Sequence, residues 1–233
     1  ELSAINQEGQ PSPYSTSTPR VGGSTRLAPQ VSCPAYATLD LSHFRLTGPA
    51  RRSSVPIYLP AIFEKACEQA GEIADGLLGH PLWTTQWIQE KVGPHLGAGL
   101  KKANRERFGF DLNLMIFTVI NDDRDAAIAD ARANVAFYTQ SPQYLRYFEG
   151  IGFGKEAKAI QEAFAKQDFA AMAQACPDEM VSAITVLGSA EDVKTQVIER
   201  AAFADSITPV VPQFGMAEDT EAIYRQRIAD LFF

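Results

Sequence analysis

Hydrophobic and polar positions change rhythm several times along this chain, and each change marks an element. Val55–Ala61, VPIYLPA, is a short apolar run with β-branched and aromatic members, as a buried strand requires. In the run that follows, Ile62, Ala66, Gln69/Ala70 and Ile73 recur near a 3.6-residue spacing, which predicts about three turns of helix. Gly76–Gly79 is apolar again, opened by Asp75-Gly76 and closed by His80-Pro81. Strand, helix and strand in so short a span form a βαβ unit with parallel strands and a right-handed crossover. Chemistry in such a unit sits at the carboxyl ends of the strands. Those ends are Leu59-Pro60-Ala61-Ile62 and Leu78-Gly79-His80-Pro81.

The same reading carries through the rest of the chain. A helix from Thr84 places Trp87, Val92, Leu96 and Leu100 on one face, with a kink at Gly93-Pro94. Asp111–Ile120 is the strongest strand, and its apolar continuity from Leu114 onward predicts burial on both faces. Asn121-Asp122-Asp123 caps a helix from Arg124 to Thr139. Shorter helices follow between glycines at 150, 152 and 154. A segment opened by Asp178-Glu179 runs to Val186, and Gly188-Ser189 is a turn with Ser189 as N-cap of a helix reaching Phe203. Ser206–Val211 is the last strand and Thr220–Phe233 a closing helix. The pattern therefore gives four parallel strands, each followed by helix. Leu41–Thr47 is a weaker extended candidate, and Arg51-Arg52 lies in the loop after it. Residues 1–40, rich in Ser, Thr, Pro, Gly and Gln, carry neither rhythm and are expected to be irregular, leaving 41–233 as the folded region.

Composition narrows the class. With 45% hydrophobic and 21% charged residues over 233 positions, the chain is that of an ordinary globular protein. A net charge of -7 argues against a nucleic-acid partner. No apolar run approaches the ~20 residues of a membrane span. Three cysteines without a CxxC suggest neither a disulfide framework nor a metal site, and fit reduced thiols in the cytoplasm. Neither G-x-G-x-x-G nor a Walker A sequence occurs.

Four stretches together resemble the C-terminal half of the luciferase-like monooxygenase superfamily: HFRLT at 43–47, PIYLPA with AGEIADGLLGHP, DLNLMIFTVINDDRDAAIADAR, and VLGSAEDVKTQVIERA leading to ITPVVP. The resemblance is greatest to its F420-dependent oxidoreductases. It implies an α/β fold: a partial (β/α)8 TIM barrel, strands five to eight with their helices. It also implies an oxidoreductase that uses reduced coenzyme F420, or alternatively FMN, for hydride transfer or monooxygenation of a small organic substrate. The phosphate of the cofactor would be held after strands five and six, at Pro60, Ala61, Ile62 and Phe63 and at Gly79, His80 and Pro81. The chain departs from the family here, because relatives often carry Gly in the first loop and Pro60 has no N–H.

The resemblance leaves strands one to four without a counterpart, since four βα units need ~120 residues. The expectation is a half-barrel with an open edge, which pairs with a missing N-terminal half or with another copy. The alternative function is a catalytically inert half-barrel acting as subunit, scaffold or truncated product. His80, at a strand end with a pKa near neutral, is the one candidate acid or base, weighed against a hydrogen-bonded structural histidine. Trp83, Thr118, Gln213 and Phe214 are candidates to line the substrate mouth; no metal site is expected.

Overall fold

The computed structural model describes residues 31–33, 37–39 and 55–233. Two short strands, β1 (Val31–Cys33) and β2 (Ala37–Leu39), pair antiparallel within the stretch read as irregular. The candidates at Leu41–Thr47 and Arg51-Arg52 lie outside the described residues. From Pro56 onward the chain forms one unit. Its elements are β3 (Tyr58–Ala61), α1 (Glu64–Ile73), β4 (Gly76–Gly79), α2 (Thr85–Trp87), α3 (Gly93–Lys102), β5 (Asp111–Ile120) and α4 (Arg124–Thr139). After them come α5 (Leu145–Gly150), α6 (Gly154–Ala165), α7 (Phe169–Gln174), α8 (Asp178–Ile184), β6 (Val186–Gly188), α9 (Ala190–Ala201), β7 (Ser206–Val210) and α10 (Glu218–Phe232).

The sheet is parallel throughout: β3 pairs with β4, β4 with β5, and β5 with both β7 and β6. This is the arc of a partial (β/α)8 barrel. The predicted strands at 76–79, 111–120 and 206–211 are present, and β6 is a fifth that the sequence reading missed. It pairs with the carboxyl end of β5, from Thr118↔Val186 to Ile120↔Gly188.

The register assigns the two faces. Leu77, Leu112, Leu114 and Ile116 share one face and are at most 3% exposed, because the helices cover it. On the other face the lateral rows are Tyr58–Gly76–Asp111 and Pro60–Leu78–Asn113–Ser206. Polar side chains bond across this face. The Tyr58 hydroxyl donates to Asp111 (2.8 Å), Ser206 donates to Asp111 (3.1 Å), and Asn113 Nδ2 donates to Ser206 and Thr208 (3.0 Å each). Tyr58, Pro60, Leu78 and Thr208 are exposed. Burial on both faces is thus corrected: it holds at the carboxyl end of β5, from Phe117 to Ile120, and fails elsewhere. The predicted strand from Val55 is also shorter. Val55 and Ile57 are exposed, and Asp75 fastens the approach to β3 by accepting from Ile57 N–H at 2.8 Å.

Capping residues fix the helix starts. Asp123 accepts from the N–H groups of Asp125 and Ala126, and Ser189 forms a capping box with Asp192. Between α2 and α3 the helix widens into a π-turn at Ile88–Val92. Pro94 has no N–H to donate into that turn, so the irregularity precedes the predicted kink. Helix α1 buries Ala70 of the predicted stripe together with Cys67 and Gly71, which lie off it, while Ile73 points outward. Its rotation follows from packing on α3 through glycine, since a Cβ at Gly71 would lie 2.6 Å from the Leu96 carbonyl oxygen.

Candidate functional site

The carboxyl ends of β4, β5 and β7 converge with α4 and α10 on a cleft of about 410 Å³. Its walls are mostly apolar: Met115 and Phe117 from β5, Pro209 to Val211 from β7, and Ile228 from α10. Pro81 and Gln213 bound it just beyond their strands, and Asn134 and Tyr138 reach it from α4. Met115 and Phe117 share the parity of Asp111 and Asn113, so the cleft is the carboxyl-end continuation of the open face.

His80 stands beside it in an aromatic setting. Its ring lies edge-on to Tyr138 (5.7 Å between centroids) and tilted against Tyr144 (5.4 Å). The Leu82 N–H donates to Nδ1 at 3.3 Å, which leaves the ring proton of the neutral form on Nε2. Nε2 then faces the Tyr144 hydroxyl at 3.4 Å as its donor. Burial lowers the His80 pKa to about 4, because a charged imidazolium would lose its hydration there. At neutral pH it is a hydrogen-bond donor, not a cation. A depressed folded-state pKa means the unfolded chain binds the extra proton first, so stability falls as pH drops from the ordinary value of 6.5 toward 4. His80→Asn keeps an acceptor for Leu82 N–H but has no such proton. Its unfolding free energy is expected to fall less steeply across that window, by up to ~1.4 kcal/mol per pH unit, in denaturant titrations of both proteins at several pH values. Equal slopes would refute the buried neutral imidazole.

The other sequence candidates divide into those the fold brings near the cleft and those it does not. Pro81 and Gln213 line it, and Phe214 stacks on Phe137 with ring centroids 3.9 Å apart and the Phe214 N–H on Asn134. Trp83 is 2% exposed and donates through Nε1 to the Ile62 carbonyl (3.1 Å), as does Trp87. That places Trp83 in the core, not at the mouth, and Gly79 is the residue its ring packs on. Thr118 is fully buried with its hydroxyl donating to the Ile116 carbonyl, on the helix-covered parity of β5. Pro60 is exposed, Ala61 buried, and Phe63 is the N-cap of α1 with the Arg146 guanidinium 4.3 Å over its ring. Arg146 also pairs with Glu64 in the first turn of that helix at 2.6 Å, which offsets a negative charge there.

Asn134, Tyr138, Tyr144, Phe117 and Met115 were missed by the sequence reading. One signal existed: Ala127, Ala131, Asn134, Val135 and Tyr138 keep helical spacing, which puts an amide on an apolar face. Among the described residues, no group of three or more His, Cys, Asp or Glu is placed to hold a metal ion. Among them also, no helix is long and apolar enough to cross a membrane.

A parallel arc with helices on one face and a cleft at the strand carboxyl ends defines a (β/α)-barrel protein of the kind whose sites lie at that rim. The chain belongs to the luciferase-like monooxygenase family, whose pattern it matches over residues 35–205. It corresponds to the C-terminal region of that family. It is 29% identical over 158 residues to an uncharacterized protein of Mycobacterium tuberculosis, covering 66% of this chain and 46% of the other. To the 5,10-methylenetetrahydromethanopterin reductase of Archaeoglobus fulgidus it is 31% identical over 152 residues, 63% of this chain and 45% of that one. The coenzyme F420 dependent tetrahydromethanopterin reductase from Methanopyrus kandleri superimposes with a TM-score of 0.59 at 25% identity, over 76% of this chain and 51% of that one. The chain spans about half the length of the curated relatives it matches.

Proposed function

We propose that this chain carries part of the site of an oxidoreductase that takes reduced coenzyme F420, with FMN as the alternative, and acts on a small organic substrate. The observation that supports it most is the cleft at the carboxyl rim, in a chain similar to an F420-dependent reductase. When bound, reduced F420 would supply a hydride, or reduced FMN with O₂ an oxygen atom, the second oxygen leaving as water; the protein would supply position and electrostatics.

The residues present suit a planar, largely apolar ring system. Met115, Phe117, Val210 and Val211 offer its walls, and Pro81 and Gln213 its ends. His80 donates from Nε2 to the Tyr144 hydroxyl beside it, which holds a proton on Nε2 without placing a charge there. The amino end of α1, after Ile62 and Phe63, presents free N–H groups for a phosphate, although Pro60 contributes none. Two tryptophans hold the Ile62 carbonyl turned inward, which orders that turn.

The test is a fluorescence titration of the folded chain with F420 and with FMN. Saturable binding of F420, tighter than that of FMN, is expected, and Phe117→Asp should abolish it by putting a carboxylate in the apolar wall. Binding of neither by a chain that unfolds cooperatively would overturn the proposal.

A second reading, a subunit or scaffold without turnover, is favoured by the open polar face of the sheet, on which Tyr58, Leu78 and Thr208 are exposed. Light scattering separates the two readings: this one requires a dimer or a stable complex with a second chain, and no cofactor binding by either.

A further inference from the structure

We infer that the cleft takes a ligand with an oxyanion, a carboxylate or phosphate group on an apolar body, and that Arg225 of α10 binds that group. The inference rests on the proposed function for whether cofactor or substrate carries the oxyanion, but not for the cation that receives it.

Arg225 lines the cleft together with Ile228, one turn further along α10. Of the residues in its walls, Arg225 alone is ionised at neutral pH. Its side chain is 62% exposed. Among the described residues, its guanidinium has one hydrogen-bond partner, Glu221, which Nη2 reaches. Glu221 lies a turn earlier on the helix, is 16% exposed at its side chain, and does not line the cleft. The same carboxylate oxygen, Oε1, also accepts from Gln213 Nε2 at 2.7 Å. Two donors that share one oxygen stand side by side. The guanidinium head is therefore next to the Gln213 amide, at the end of the cleft that Gln213 bounds. Glu221 is a positioning residue: it ties α10 to the chain beyond β7 and fixes that head from behind.

A guanidinium has five N–H donors and no acceptor, and only part of this one is engaged. What remains can meet only an acceptor, and its planar fork matches the paired oxygens of a carboxylate or phosphate. The pair with Glu221 is neutral in sum but not in arrangement. The carboxylate is the more buried partner and stays out of the wall, so a ligand in the cleft meets the cation first. Tyr138 and Asn134, also in the wall, can donate to charged and uncharged oxygens alike; Arg225 is the group there that discriminates by charge. The remaining wall, Met115, Phe117, Val210 and Val211, takes an apolar body.

The test compares benzoate with nitrobenzene, which has the same planar shape and two oxygens but no charge. Binding is followed by ligand-observed NMR on the intact chain. The wild type is expected to bind benzoate about tenfold more tightly, and the preference should shrink at high salt. The chain carries a net charge of -7, so such a preference cannot come from its overall charge. The deciding variant combines Arg225→Met with Glu221→Gln. It removes both charges of the pair and leaves the net charge unchanged; it is expected to bind the two probes alike. Arg225→Lys keeps the charge without the fork and should retain part of the preference. F420 and FMN are titrated into the double variant, followed by fluorescence. A tenfold loss of cofactor affinity assigns the oxyanion to the cofactor phosphate; unchanged cofactor affinity with the probe preference lost assigns it to the substrate. Failure of benzoate to bind, equal binding of both probes by the wild type, or a preference that survives in the double variant overturns the inference. If neither cofactor binds and the preference holds, the oxidoreductase reading fails and the oxyanion site stands. If a cofactor binds and the preference is absent, the reverse follows.

Discussion

Gly99→Ala will lower the free energy of unfolding by about 2–4 kcal/mol, while Gly97→Ala, on the same helix, will raise it by about 0.5–1 kcal/mol. The two differ only in what a methyl group would meet. At Gly99 it would overlap the Glu68 carbonyl of α1, and the neighbouring Cα and carbonyl carbon of Glu68 are close behind. Main-chain atoms of a helix cannot rotate aside, so α1 and α3 must separate. Their separation unseats Cys67, Ala70, Leu96 and Leu100, each at most 3% exposed. Gly71 makes the same close approach from the other helix. Nothing lies within 4 Å of a Cβ built on Gly97, so alanine there gains helix propensity without cost. A loss of this size is a large fraction of the stability of a single domain. Denaturant unfolding followed by circular dichroism measures both variants, and shifts of the same sign would refute the glycine seam. The seam also bears on the site, because α1 begins at the Ile62-Phe63 turn and would carry that turn with it.

Elements that carry their own start and stop signals were readable from the sequence. Asp123 and Ser189 announce helices in the composition of a few residues, and the structure begins α4 and α9 immediately after them. β5 is ten residues long and strongly apolar, so local pattern suffices to find it. β6 is three residues long, too short for any period, and becomes a strand only because the end of β5 offers it partners. The open face could have been deduced: Asp111 and Asn113 are polar at alternate positions, and counting on from them puts Met115 and Phe117 with the cleft and Thr118 with the helices. Trp83 was not decidable, because a carbonyl from a distant turn, that of Ile62, determines where its ring goes. The cleft was half legible for a similar reason. Strand ends are marked in the sequence, but Asn134 and Tyr138 on α4 and Arg225 on α10 are brought there by packing between elements far apart in the chain.

Arg200→Met will lower the unfolding free energy by about 3 kcal/mol, roughly 6–12 °C in Tm. Arg200 is 6% exposed at the end of α9, and its guanidinium donates to the carbonyls of Ala183 and Ile184 (3.2 Å each) and of Trp83 (3.4 Å). Burial depresses its pKa to about 10, so it remains charged at neutral pH. What holds a cation in that interior is the end of α8, whose last carbonyls have no helical partner and carry the negative pole of the helix. Arginine suits the position because its planar fork reaches several acceptors at once. Methionine preserves the length of the stem and most of the packing, so the loss reports the carbonyls left unmatched rather than a cavity. Arg200→Lys, with a single ammonium, should recover only part of the stability. The third carbonyl links this cap to the cleft: Trp83 follows His80-Pro81, so Arg200 ties α8 and α9 to the turn that carries His80. Besides the thermal shift, Arg200→Met should therefore weaken the Leu82–His80 bond and raise the His80 pKa toward its ordinary value, as followed by NMR titration of the imidazole. Unfolding within 1 kcal/mol of the wild type, with the His80 titration unmoved, would show that the cap is dispensable.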